Sequence, residues 1–301
     1  MHSAAPRLAA VVMAMKPAAA ASVLVKRPGL LTSAVVSDGS RVEAIVAPPS
    51  WETGSVLDHV NSEQFVPFMR AVIATAEEDI GLSNYHLRFC AHGVYERVPA
   101  RGHKLGLAKL EGECLAAAER SGCYVVLAGD RLPAREVPRA PSLEELDCPI
   151  EYTDDSGKVV SLPVCQRDIM VREGEHCRVF LDAQSRPMYV SVLKQRFVRR
   201  QADLSDAELA ELWRLPLAEA FTNHASGFVD ARINAGSSQN VAHVHLKVWL
   251  RGGEFTERWG DSAAYNALRQ ASRARKAARA AAAAAGGAGA TSVHPDARPV
   301  T

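Results

Sequence analysis

The sequence predicts an α+β protein, an antiparallel sheet of short strands covered by amphipathic helices. Three observations lead there. Arg178-Val179-Phe180-Leu181-Asp182 and Met188-Tyr189-Val190-Ser191-Val192-Leu193 are rich in the residue types that suit strands, and the turn-forming stretch Ala183 to Pro187 joins them into a hairpin. A capped amphipathic helix and two further strands follow. The same order of hairpin, helix and strands can be traced a second time in the first half of the chain, so the architecture is read as two related units in tandem.

A length of 301 residues allows two cores of ordinary size. The 35 Lys and Arg nearly balance the 34 Asp and Glu, so no overall field marks the chain as a binder of nucleic acid or of membranes. Lys16 and the pair Lys26-Arg27 interrupt the N-terminal apolar stretch before it reaches the ~18 residues of a spanning helix, and no membrane span is expected. Six cysteines (Cys90, Cys114, Cys123, Cys148, Cys165 and Cys177) include no C-x-x-C pair, which argues against a zinc ribbon and a disulfide scaffold and for reduced, buried thiols.

The elements then follow in order. From Met1 to Ser37 there is no acidic residue, while Arg7, Lys16, Lys26 and Arg27 lie among Ala, Ser, Val and Leu. Residues 1–30 therefore have the composition of a transit segment to a mitochondrion or chloroplast; the alternative is an alanine-rich habit of the whole sequence and a cytoplasmic protein. Residues 31–132 form the first unit. Val35 to Asp38 and Gly39 to Val46 make its hairpin, a helix from Ser62 to Asp79 presents Phe65, Phe68, Met69, Val72 and Ile73 on one face, and Tyr85 to Gly93 is a strand. The closing strand is expected near His103 to Leu110. Leu107 to Arg120 reads as an amphipathic helix and Cys123 to Ala128 as a buried strand between the units, followed by a proline-rich linker over residues 133–150.

The second unit spans residues 151–260. The turn Asp154-Asp155-Ser156-Gly157 is expected to be solvated and to hold no metal. After the hairpin, Ser205-Asp206-Ala207-Glu208 has the spacing of a capping box, and Leu209, Leu212 and Trp213 share one face of a helix that Pro216 should kink or end. Strands are expected from Phe228 to Ile233 and from Val241 to Leu250, joined by the loop Asn234 to Asn240. Residues 261–301 are an Ala-rich helix with Arg269, Arg273 and Lys276 along one face, then a Gly- and Pro-containing tail; without interleaved aromatics, solvent rather than nucleic acid is its expected partner.

The last strand carries the chemistry. His243, His245 and Lys247 fall at alternate positions and project from one face, with Val244, Leu246 and Val248 on the other. Three basic groups crowded into a dry interior would leave polar atoms unpaired, so an anion or solvent is expected to face them. The small residues Gly236, Ser237 and Ser238 just upstream can offer backbone N–H groups and hydroxyls to a phosphate. A zinc site would need third and fourth ligands at recognisable spacing and none is visible, so neither metal nor cofactor is expected. His176 and His224 read as surface or capping residues.

The run Gln239-Asn240-Val241-Ala242-His243-Val244-His245-Leu246-Lys247, with Asn234-x-Gly236 before it, resembles the histidine-triad signature, and Cys177 to Phe197 resembles the first hairpin of that family. The resemblance covers roughly seventy residues. It implies histidine-triad-like (HIT-like) units, here two in tandem forming a pseudo-dimer as in the galactose-1-phosphate uridylyltransferase branch. It also implies roles. His245 would be the nucleophile that forms a nucleotidyl-histidine intermediate, His243 would orient it and contact the phosphate, and Asp182 would bind the ribose. Asn234, Gly236, Ser238, Gln239 and Asn240 would surround the nucleotide. A neutral imidazole is a competent nucleophile toward phosphorus near pH 7.

The sequence departs from the pattern at three places. Lys247 stands where the third histidine would, and could bind phosphate as a point charge; the transferase branch has H-x-H-x-Q-x-W, similar to His243-x-His245-x-Lys247-x-Trp249. Asn240 replaces Ser or Thr, and Phe197 stands where the family often has histidine. The first unit has no H-x-H and is read as structural. Two readings follow from the resemblance. One is a hydrolase or nucleotidyltransferase acting on a nucleoside phosphoramidate, dinucleoside polyphosphate or nucleotide sugar. The alternative is a catalytically lapsed relative serving as a nucleotide-binding or structural subunit of a larger organellar assembly, with a homodimer also open.

Overall fold

A computed structural model describes residues 21–23, 27, 30–38, 41–91, 112–132, 150–153, 159–162, 170–182, 185–194, 196, 198–239 and 243–285. The class is α+β, as the strand and helix patterns predict. Among the described residues, ten strands form one antiparallel sheet in the order β1-β2-β3-β5-β4-β11-β12-β10-β9-β8. In the first unit these are β1 (Ala21–Val23), β2 (Leu31–Asp38), β3 (Arg41–Ala47), β4 (Asn84–Ala91) and β5 (Cys123–Asp130). In the second they are β8 (Met170–Glu173), β9 (Cys177–Leu181), β10 (Met188–Leu193), β11 (Asp230–Ala235) and β12 (His245–Trp249). A separate hairpin holds β6 (Ile150–Thr153) and β7 (Val159–Leu162).

The strand order reads the same from either side of its centre. Each half places a hairpin outside, then the last strand of the unit, then the next-to-last, so β4 and β11 meet along the middle from Asp230↔Cys90 to Ala235↔Tyr85. This locates the closing strand of the first unit. It is β5, Cys123–Asp130, which the sequence reading placed between the units; the stretch expected to hold that strand, His103 to Leu110, lies outside the described residues. Periodicity could not separate the two, because a buried central strand is apolar on both faces and carries no alternation.

The helices are α1 (Val56–Asn61), α2 (Phe65–Ala74, extended by a π-helical turn Thr75–Asp79), α3 (Gly112–Ser121), α4 (Asp206–Asn223), α5 (Gly252–Trp259) and α6 (Ala263–Ala285). Ser205 and Glu208 form the capping box that opens α4. Pro216 neither ends nor interrupts this helix. It is buried with Leu209, Leu212, Trp213, Leu217 and Ala220, and that apolar contact with the sheet outweighs the missing backbone bond.

One core joins both units. Trp213 of α4 packs edge-on against Phe65 of α2 and Phe89 of β4, at centroid distances of 6.0 and 5.9 Å, and Phe89 stacks on Phe228 at 6.1 Å. Polar bonds cross the same seam. Arg70 reaches Asp206 at 2.9 Å, Gln201 donates to the Tyr85 hydroxyl at 2.7 Å, and Arg214 donates to the Val60 carbonyl at 2.9 Å.

At the N-terminus, Ala21–Val23 pairs with β2, and Arg27 bridges Glu78 and Asp79. Residues 1–20, most of the linker, the turn Asp154–Gly157 and the tail beyond Ala285 lie outside the described residues. Among the described residues no helix is long and apolar enough to cross a membrane.

Candidate functional site

Antiparallel partners project to the same side, so the ladder registers assign the two faces of the sheet. Leu246, Ile233, Leu87 and Leu127 line up across β12, β11, β4 and β5 on the face covered by α1, α2 and α4. The opposite face is polar through the middle. Lys247, Arg232 and Arg88 form one row; Asn234 and His86 belong to the next, on the side of His245; Trp249, Asp230 and Cys90 form a third.

β12 begins at His245, later than the expected Val241, and His243 lies in the bend before it. That bend is pinned by two bonds to Val198: Val244 N–H donates to the Val198 carbonyl at 2.7 Å, and Val198 N–H donates to His243 Nδ1 at 3.1 Å. Because Nδ1 of His243 accepts, the neutral ring carries its proton on Nε2. His245 is held in the other tautomer. Its Nδ1 donates to the His243 carbonyl at 2.8 Å, which leaves the lone pair on Nε2.

The three basic groups of this strand lie deep in the face. His243 is fully buried, and His245 and Lys247 are less than a tenth exposed. The interior tolerates the pair by discharging it. Burial pushes His243 down to about 4, and burial together with the charges of Lys247 and Arg186 pushes His245 down to about 3, so both imidazoles are neutral at physiological pH.

Asp182 follows β9, almost fully buried, and its carboxylate is bidentate with Arg186. Asn234 ends the polar row of β11, where its Oδ1 accepts from His86 Nδ1 of the first unit at 2.8 Å. Gly236 and Ser238 bound a single 3-10 turn after β11. Gly236 has φ +60, and a Cβ there would meet the Ser83 carbonyl oxygen at 2.1 Å, so only glycine lets the loop lie against the first unit. Ser237 N–H donates to Asn84 Oδ1 at 2.7 Å, which commits one of the amides expected to cradle a phosphate. Asn84 in turn donates to Asp130 and to the Leu132 carbonyl. Gln239 anchors the far side of the loop by donating to the Arg199 carbonyl at 2.9 Å. Asn240 and Phe197 lie outside the described residues.

Four residues of this face were not singled out from sequence. Arg186, His86, Arg88 and Arg232 reach it through the hairpin turn and through pairing of strands far apart in the chain. For Arg88 and Arg232 the only signal is a basic residue between apolar neighbours in a strand, and Arg232 has a buried partner in Asp230 at 3.4 Å. Lys194 is directed elsewhere, donating to the Gly174 carbonyl at 2.7 Å. His224 is the C-cap of α4, but it is buried rather than on the surface, 2.9 Å from the Tyr189 hydroxyl. Among the described residues no group of three His, Cys, Asp or Glu is arranged to hold a metal ion.

In the first half of the sheet the corresponding positions are apolar and covered. When the hairpins are aligned on Asp38 and Asp182, the registers bring Val126 to the place of His245 and Ala128 to that of Lys247. Helix α3 packs over the spot, with Cys114, Ala117 and Ala118 against Ile45, Cys90, Tyr124 and Val126. Among the described residues no helix lies between β11 and β12, which only nine residues separate.

No protein-family model matches the sequence, and no curated protein matches it. Among solved structures, the chain is similar to an ADP-glucose phosphorylase from Arabidopsis thaliana with bound ADP-glucose. The TM-score is 0.41 with 12% identity over 76% of this chain and 73% of that one. It is also similar to a GalT-like protein from Arabidopsis thaliana, with TM-score 0.40, 11% identity, and 76% and 75% of the two chains covered.

Proposed function

We propose that the chain is a histidine-triad-like nucleotidyltransferase in which His245 takes a nucleotidyl group from a dinucleoside polyphosphate or a nucleotide sugar. One observation carries this reading. A neutral imidazole, oriented by its Nδ1–H on the His243 carbonyl, keeps its Nε2 lone pair on the sheet face it shares with Lys247. Nε2 attacks the α-phosphorus, the bond to the bridging oxygen breaks, and the leaving phosphate departs with the electron pair. An acceptor (phosphate, a sugar phosphate or water) then attacks the same phosphorus and releases the imidazole. Lys247 contributes positive charge to the transition state.

The lysine also narrows the substrate class. An ammonium is a poor acid near neutral pH, whereas an amine leaving group needs a proton and a phosphate leaving group does not. Phosphate-linked substrates are therefore favoured over nucleoside phosphoramidates. The test is intact-protein mass after incubation with uridine-diphosphate sugars, diadenosine polyphosphates and adenosine phosphoramidate, for wild type, His245→Ala and Lys247→His. Expected are a nucleotide-monophosphate adduct from the first two substrates, its loss in His245→Ala, and a gain on phosphoramidate in Lys247→His. No adduct in any variant would overturn the reading.

A second reading, a nucleotide-binding or assembly subunit without turnover, is favoured by the prior engagement of Asp182 by Arg186 and of Ser237 N–H by Asn84. Nucleotide affinity with no adduct would select it.

A further inference from the structure

The hairpin that carries Asp182 brings with it a guanidinium that the proposed chemistry does not use. Arg186 folds back onto the carboxylate: Nε donates to Oδ2 at 2.8 Å, Nη2 donates to Oδ1 at 2.9 Å, and the Arg186 backbone N–H donates to Oδ2 at 3.1 Å. Two parallel charge-assisted bonds of this kind match fork to fork and are among the stronger polar contacts a protein makes. The turn is shaped to permit it. Ser185 has φ 56, a left-handed conformation uncommon for a residue with a side chain, and its carbonyl accepts from the Tyr265 hydroxyl of α6 at 3.4 Å.

The pair is asymmetric. The Asp182 side chain is 5% exposed and that of Arg186 is 34% exposed, so the carboxylate is the inner member and the guanidinium covers it from outside. Arg186 also lies 5.7 Å from the centre of the Trp249 ring. Trp249, Lys247 and His245 follow one another on a single face of β12, about 7 Å apart. The positive end of Arg186 thus sits at one end of a line that leads through Lys247 to the nucleophile, close enough for its charge to disfavour protonation of His245.

We propose that Arg186 is a ligand-displaced latch. The hydroxyls of an incoming ribose take over the Asp182 oxygens, and the released guanidinium turns to the phosphate beside Lys247. The proposal rests on the nucleotidyl-transfer reading of the site. Its chemical logic is an exchange of partners. A nucleoside alone must replace a bidentate ion pair with bonds from neutral hydroxyl donors and strand the guanidinium, which is unfavourable; a nucleotide supplies the phosphate that restores a charged partner. Ribose and phosphate recognition are thereby coupled through one side chain, and nucleosides are rejected by more than the absence of phosphate attraction.

Calorimetric titration of the full chain with adenosine, uridine and their monophosphates distinguishes the latch from a structural brace, comparing wild type, Arg186→Gln and Arg186→Lys. In Arg186→Gln the nucleosides are expected to bind several-fold tighter, because Asp182 is released, and the monophosphates about tenfold weaker. Arg186→Lys, which keeps the charge, should restore much of the monophosphate affinity. Opposite signs for the two ligand classes are the signature. If wild type forms the adduct but both classes weaken together, or neither changes, the latch is wrong while the enzyme reading stands. If wild type binds no nucleotide and forms no adduct, both fall.

Discussion

An unfolded chain at pH 5 carries its histidines protonated, whereas folding keeps His243 and His245 neutral, with values lowered from 6.5 to about 4 and about 3. Between those limits the unfolded state binds more protons, so stability must fall as the pH falls through 6.5. From pH 7.5 to pH 5, each histidine costs about 2 kcal/mol, and the two together cost about 4 kcal/mol of the ~5–15 kcal/mol that typically holds a domain folded. Urea unfolding followed by tryptophan fluorescence at pH 7.5, 6 and 5 measures this directly. Substituting His245→Gln removes one titrating group while keeping a side chain that can donate to the His243 carbonyl. The variant should therefore lose about 2 kcal/mol less than wild type over the same interval. An identical pH dependence in the two proteins would show that His245 is not discharged by folding, and would remove the neutral nucleophile on which the catalytic reading depends. Adduct formation should likewise lack a histidine limb near pH 6.5.

Gly236→Ala places a Cβ 2.1 Å from the Ser83 carbonyl oxygen in a left-handed backbone, so the loop must move off the first unit. A loss of about 2–4 kcal/mol in stability and a fall in nucleotide affinity are expected from chemical unfolding and calorimetry. Trp213→Ala should cost about 3–5 kcal/mol, because the ring is fully buried between Phe65 and Phe89; thermal unfolding should remain a single transition, since the cavity opens in the core shared by both units. The Arg196 guanidinium and the capping-box bonds hold the Glu208 carboxyl down to about 2, so its contribution is present above pH 4.5 and is lost as the pH falls through about 2. Glu208→Gln should lower stability by about 1–2 kcal/mol at pH 7, discounted for the half-exposed arginine, and the gap should narrow in 1 M salt.

Much of the second unit was legible as sequence because local rules govern it. The hairpin Cys177–Leu193 announced itself by β-branched residues around a turn, and α4 by Ser205 and Glu208 at capping-box spacing. The amphipathic stripe of α2 follows from its spacing, and Phe65, Phe68, Met69, Val72 and Ile73 are all buried. Reading failed where a local rule met a tertiary contact. Pro216 should have broken α4, but its burial against the sheet holds the helix through it. Nothing in Cys123–Asp130 says which strands will flank β5; β3 and β4 do, and both lie more than thirty residues upstream.

The sequence by itself determined that His245 and Lys247 would share a side of the sheet, because alternation along a strand brings residues two apart to the same side whatever surrounds them. It also determined which unit keeps the pair, since the first has no H-x-H to offer. Only the tertiary structure decided what those side chains are. Whether an imidazole is charged depends on how much water remains around it, which burial sets, and which nitrogen holds its proton depends on a backbone group brought up by folding, the His243 carbonyl for one ring and the Val198 amide for the other. The same holds for the company the site keeps. His86 reaches Asn234 from 148 residues away because β4 and β11 pair at the centre of the sheet, a contact that no spacing along the chain encodes.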